Sequence, residues 1–216
     1  MNFNKIDIHN WDRKEIFNHY LNQQTSFSIT SEINISTLYR TLNHNGYKFY
    51  PALIFIITKV VNSNTVFRTS FNHKGDLGYW DQLVPLYTIF DQKSETFSAI
   101  TTDIDNGDFK NFHKMYLSDV DEFTGTGLLF PKKPIPENTV SISMIPWTSF
   151  TAFNLMIESN KNHLLPIITA GKFVHKDGSI LLPISLQVHH AVCDGYHASR
   201  FFESVQQLAN APIDWL

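Results

Sequence analysis

Apolar residues recur along this chain first at helical spacing, then mostly at the spacing of strands. Ile16, Phe17, Tyr20 and Leu21 form a stripe, and Asp12 followed by Glu15 reads as a capping box, so a helix is predicted to open there. Residues 27–33 alternate as a strand does. Residues 35–42 read as a helix that Gly46 is placed to end. Residues 50–61 are almost continuously apolar, which predicts a buried helix with Pro51 in its first turn. Strand patterns follow at 66–71, 86–90 and 97–101, with Lys74-Gly75-Asp76 as a turn, and residues 109–117 read as a helix. From Val140 onward strands dominate, at 140–145, 150–157, 167–174 and 180–188. Lys176-Asp177-Gly178 makes a hairpin of the last two, because Asp-Gly supplies the positive φ such turns need. A final helix spans 196–209. The mixture predicts an α+β fold, a two-layer sandwich of a mostly antiparallel sheet with packed helices, residues 1–216 forming a single domain.

Composition narrows the function classes. Of 216 residues, 43% are hydrophobic, ample for a core, and only 17% are charged, which points toward burial of surface in an oligomer. The net charge is −3, with the few Lys and Arg scattered, so no basic field is present to hold nucleic acid or an anionic membrane. The single cysteine, Cys193, excludes an intrachain disulfide and a cysteine-rich metal site. The polar start, with Lys5, Asp7 and His9, does not read as a signal peptide. The apolar run 51–61 is broken by Lys59 and too short to span a bilayer. A cytoplasmic protein is expected.

Chemistry concentrates in Gln187-Val188-His189-His190-Ala191-Val192-Cys193-Asp194-Gly195-Tyr196-His197, between an apolar strand and an amphipathic helix. Three imidazoles and a carboxylate lie within nine positions. An imidazole titrates near neutrality, so it can take a proton from a hydroxyl and return it. From the residues alone, His189 and His190 remain either catalytic or polar caps of a strand end. His197 reads as a surface or interface residue. His189, His190 and His197 are also potential metal ligands, but no second cluster of acids or histidines lies near them in sequence.

His189-His190-Ala191-Val192-Cys193-Asp194-Gly195 resembles the HHxxxDG signature of the chloramphenicol acetyltransferase family. The run through Tyr196 and His197 is most similar to the trimeric members. Further blocks carry the resemblance along the chain: Asn10-Trp11-Asp12-Arg13-Lys14-Glu15 with Phe17 and Tyr20; Tyr47-Lys48-Phe49-Tyr50-Pro51; Phe130-Pro131; Pro136-Glu137-Asn138; residues 143–147; Phe153-Asn154-Leu155; and Pro166-Ile167-Ile168-Thr169. HHxxxDG alone is shared with acyltransferase cores of dehydrogenase complexes and with peptide-synthetase condensation domains.

The resemblance implies a reaction and roles. Acetyl would move from acetyl-coenzyme A, a co-substrate, to the 3-hydroxyl of chloramphenicol by direct attack in a ternary complex, without a metal. His190 matches the general base. Ser143 matches the serine that stabilises the oxyanion, and such a donor is worth roughly 3 kcal/mol. Asp194 and Arg13 match a structural ion pair bracing the loop of His190. Tyr20 matches a tyrosine that contacts the antibiotic, and Thr169 a threonine that holds a water near the reacting centre. Phe97, Phe130, Phe153, Leu155 and Ile157 match apolar residues lining the acceptor pocket; without the resemblance they read as core. Trp147 is expected to support the Ser143 strand rather than touch substrate. The resemblance also implies a homotrimer with active sites at subunit interfaces. The chain departs from some relatives in its polar run Asn22, Gln23, Gln24, Thr25 and Ser26, which touches the shape of the acceptor site.

Competing readings are few. Cys193 as an acyl carrier would give a ping-pong mechanism, but a thioester donor needs no covalent enzyme intermediate. A dihydrolipoamide acyltransferase would bring a lipoyl domain and an Ala/Pro-rich linker. A condensation domain needs about twice the length. A drug-binding module without catalysis needs neither His190 nor Ser143.

Overall fold

A computed structural model describes residues 2–104, 107–155 and 163–216. Among them the helices are α1 (Lys14–Gln23), α2 (Ser36–Asn45), α3 (Phe49–Asn62), α4 (Phe109–Phe123) and α5 (Gly195–Asn210). The strands are β1 (Phe3–Lys5), β2 (Ser26–Asn34), β3 (Thr69–Phe71), β4 (Leu77–Trp80), β5 (Val84–Asp91), β6 (Thr96–Thr101), β7 (Thr139–Met144), β8 (Ile167–Ala170), β9 (Val174–Lys176) and β10 (Ser179–His189). The main sheet runs β2-β10-β8-β7-β5-β6, with β9 added to β10; β1-β4-β3 form a smaller one. In the main sheet β7 lies parallel to β5 and β8, and the other pairings are antiparallel. The α+β sandwich with a mostly antiparallel sheet is the architecture observed.

Successive side chains of a strand point to opposite faces, so one face of this sheet is apolar and the other is not. Ile142, Ile168, Ile184, Leu186 and Val188 are buried toward the helices. Tyr87 shares a row with Ile142 and meets Tyr116 of α4 and Tyr50 of α3 edge to edge or tilted. α3 fills the centre of that layer: every residue from Pro51 to Val61 is buried except Lys59. The opposite face carries Ser141, Ser143, Thr169, Ser185 and Gln187, row by row across β7, β8 and β10. A sheet with one polar, partly open face offers hydroxyls and amides to a ligand or a partner.

Several sequence expectations are corrected. α1 begins at Lys14 with Arg13 at its N-cap and no side-chain cap, so Asp12 and Glu15 form no capping box. The predicted strand 66–71 is half 3-10 turn, Thr65–Arg68, because Asn64 accepts the Val66 N–H and turns the chain. The run 167–174 breaks into β8 and β9 at Gly171, where a Cβ would lie 2.8 Å from the Phe150 ring and 2.9 Å from Pro183. Residues 150–155 are not a strand, and 156–157 lie outside the described residues. Their alternating pattern misleads because side chains of β10 take the place of a neighbouring strand. Ser185 Oγ donates to the Phe153 carbonyl at 2.6 Å, the Leu155 N–H donates to Gln187 Oε1 at 2.8 Å, and Gln187 Nε2 donates to the Leu155 carbonyl at 2.6 Å. At the predicted hairpin, Asp177 and Gly178 both have positive φ, 48° and 76°.

Candidate active site

His190 is the first residue beyond β10. Its N–H donates to the Thr25 carbonyl at 2.8 Å, which carries the pairing with β2 one step past the strand end. The ring is sandwiched locally: Tyr20, from the last turn of α1, stacks on it at 3.8 Å and 17°, and Phe27 meets it edge-on at 5.2 Å. His190 Nδ1 lies 3.1 Å from the Cys193 carbonyl. A carbonyl only accepts, so the neutral ring carries its proton on Nδ1 and keeps a lone pair on Nε2. The side chain is 27% exposed. A fixed, partly exposed imidazole with a free Nε2 lone pair has what a general base requires.

The loop is held from across the molecule. The Arg13 guanidinium, its side chain only 14% exposed, makes four hydrogen bonds: to both oxygens of Asp194 at 2.6 and 2.7 Å, to the Ala191 carbonyl at 2.7 Å and to the His190 carbonyl at 3.0 Å. A planar fork suits this set; an ammonium does not. Hydrogen bonding to Arg13 holds the Asp194 carboxyl below its ordinary pKa, with the charges of Arg13, His197 and His190 adding to it. Asp194 also heads α5, and its N–H donates to His197 Nδ1 at 3.1 Å, so His197 caps the helix rather than lying free on the surface. Cys193 is buried, and burial pushes its thiol up to about 12, which does not suit an acyl carrier.

Ser143 sits elsewhere in the chain. Its Oγ is 2.9 Å from Oγ1 of Thr169, its register partner on β8. That row continues to Ser185 on β10, five residues before His190. Two inter-strand steps and five residues along a strand separate Ser143 from His190 by about 20 Å within one chain. Thr169 is buried, while Phe130 and Phe153 are half-buried. Phe97 is 55% exposed and pairs with Phe90 across β5 and β6. Leu155 is 48% exposed and held by Gln187. Ile157 lies outside the described residues. The structure thus gathers His190, Tyr20, Arg13 and Asp194 at one place, and Ser143 with Thr169 at another. Trp147 is exposed, its ring edge-on to Phe90 at 4.7 Å. Sequence reading missed Phe27, whose signal was its place in an alternating strand, and Gln187, a lone amide in an apolar run. Among the described residues no three His, Cys, Asp or Glu side chains converge to hold a metal, and no helix is long and apolar enough to cross a membrane.

A family model described as chloramphenicol acetyltransferase matches residues 1–206. The chain belongs to the chloramphenicol acetyltransferase family. A chloramphenicol acetyltransferase of Staphylococcus aureus is 67% identical over 216 residues, all of both chains. One of Clostridium perfringens is 49% identical over 217 residues, covering all of this chain and 99% of the relative. A solved chloramphenicol acetyltransferase structure superposes with a TM-score of 0.84 at 24% identity, covering 96% of this chain and all of the other. The fold extends to a dihydrolipoamide acetyltransferase of Azotobacter vinelandii, with a TM-score of 0.68 at 14% identity over 93% and 89% of the two chains. As a member of the chloramphenicol acetyltransferase family the chain is an enzyme, an acyltransferase.

Proposed function

We propose that this enzyme transfers acetyl from acetyl-coenzyme A to the 3-hydroxyl of chloramphenicol, inactivating the antibiotic in the cytoplasm. His190 Nε2 takes the hydroxyl proton as the oxygen attacks the thioester carbonyl. Ser143 donates to the resulting oxyanion. Collapse of the tetrahedral intermediate breaks the C–S bond, and the proton returns from His190 to the coenzyme thiolate. The observation that carries this reading is the bond from His190 Nδ1–H to the Cys193 carbonyl, which leaves Nε2 as the acceptor. Base catalysis by a positioned imidazole supplies about 10²- to 10⁴-fold, and an oxyanion donor a further 10² or so, roughly.

The distance between His190 and Ser143 supports a site built by two subunits of a homotrimer, with His190 from one and Ser143 from its neighbour. Exposed apolar residues favour such an assembly: Phe90, Phe97, Leu128, Leu129 and Trp147 are each at least 40% exposed. Leu128 and Leu129 are brought alongside β6 by bonds from Ser98 and Ala99 to their carbonyls. An exposed patch of this kind is ordinarily covered. In this reading Tyr20, Phe97, Phe130, Phe153 and Leu155 line the acceptor pocket. Thr169 holds the Ser143 hydroxyl and a water beside the reacting centre.

Release of coenzyme thiol, followed with acetyl-coenzyme A and chloramphenicol, tests the reaction. Thiol release that depends on the antibiotic and yields its 3-acetyl ester is expected. Tight antibiotic binding with no release above background would leave a binding protein instead.

A further inference from the structure

His189 has no part in the chemistry proposed above, yet its surroundings are unusual. It is 5% exposed, and its Nδ1 accepts the Ala191 N–H at 3.1 Å. With Nδ1 occupied as an acceptor, the ring proton is on Nε2. That Nε2 is buried and has no hydrogen-bond partner among the described residues. Leaving such a donor unsatisfied is costly. The same condition holds at one other imidazole, His163, whose Nε2 is also buried without a partner. Burial lowers the His163 pKa, opposed in part by a hydrogen bond from the ring to the Leu165 backbone; with Nε2 the unpartnered nitrogen, that proton is on Nδ1 and Nε2 is an acceptor. A metal bridging the two rings is excluded, because His189 would need Nε2 deprotonated while Nδ1 is already engaged as an acceptor.

The two rings are neighbours. β10 pairs antiparallel with β8 through Gln187 and Ile167. The segment that enters β8 therefore approaches the end of β10, and His163 lies close enough to His189 to act on its ring electrostatically. Burial lowers the pKa of both rings, and at His189 the nearby His163 and His190 imidazoles lower it further. From this juxtaposition we infer that His189 Nε2–H donates to His163 Nε2, directly or across one water, and that His163 is a positioning residue for His190. The chain of contacts is short. His163 fixes the His189 ring; the ring fixes the Ala191 N–H; the Ala191 and His190 carbonyls complete the grip of Arg13. The inference rests on His190 being the base.

Two variants and one spectrum test it. His163→Phe keeps a ring of similar size and removes the acceptor; His163→Gln keeps an acceptor oxygen. Expected for His163→Phe is a kcat about tenfold lower with both KM values within about twofold, and for His163→Gln a kcat restored to within about threefold. Unchanged kcat in His163→Phe, or equal loss in both variants, overturns the inference. The ring nitrogens of the unsubstituted enzyme, read by NMR, decide independently of whether a variant folds. A protonated Nε2 on His189 with an unprotonated Nε2 on His163 supports the pair; two protonated Nε2 atoms refute it. Should His190→Ala leave turnover intact, the base assignment fails, while the tautomers of His163 and His189 stand as measured.

Discussion

One carbonyl, that of Cys193, decides which nitrogen of His190 is free, and one hydroxyl, that of Thr169, orients Ser143. These are single-residue effects with separable kinetic signatures. His190→Ala is expected to reduce kcat by at least about 10³-fold while chloramphenicol binding, measured by calorimetry, stays within a few-fold. Ser143→Ala is expected to lower kcat roughly 10²-fold with little change in either KM, since an oxyanion forms only along the reaction path. A large rise in KM with kcat intact would make Ser143 a ground-state contact instead. At this scale the sequence showed which residue types were present in the Gln187–His197 segment, but not which nitrogen carries a proton. Tautomers follow from partners, and Ala191 N–H and the Cys193 carbonyl become partners only once the loop has turned.

Elements are joined here by side chains that reach across long sequence separations. Arg13 binds the loop between β10 and α5, and Arg13→Ala strands a carboxylate and two carbonyls. A loss of about 1–3 kcal/mol in unfolding free energy is expected, with a lower kcat. Arg13→Lys should recover little, because one ammonium cannot replace four directed bonds. A fully active lysine variant would show that charge alone suffices. Gln187 performs a comparable task on the opposite face by holding Leu155. Gln187→Leu should raise KM for chloramphenicol more than it lowers kcat, as measured by steady-state kinetics. Helix faces were legible because a buried stripe repeats at a fixed spacing. The segment 150–155 was not, because a loop fed by Ser185 and Gln187 carries the same alternation as a strand.

For the whole molecule, protonation and assembly make distinct predictions. His113, His163, His189 and His197 all have pKa values lowered, with burial as the leading cause. The unfolded chain therefore binds more protons than the folded one once pH falls below about 6.5. Their contribution to stability is complete above that pH and is lost on acidification through the lower folded values. The melting temperature should fall between about pH 7 and 5, and further below about pH 4 as Asp194, also lowered, protonates. A melting temperature flat across that range would contradict the burial of these rings. If sites are shared between subunits, mixing inactive His190→Ala and Ser143→Ala chains should restore activity at about a quarter of the sites on random association into a cyclic trimer. No recovery on mixing would place both groups in one subunit. By itself the sequence determined the fold class, the family resemblance and the junction that presents His190, because these depend on periodicity and on residue types close together in the chain. The tertiary structure alone decided that Arg13 grips Asp194 across the fold, that Gln187 holds Leu155, and that Ser143 lies far from His190. Hydrophobic spacing reports that a face is buried; it carries no record of what the face is buried against.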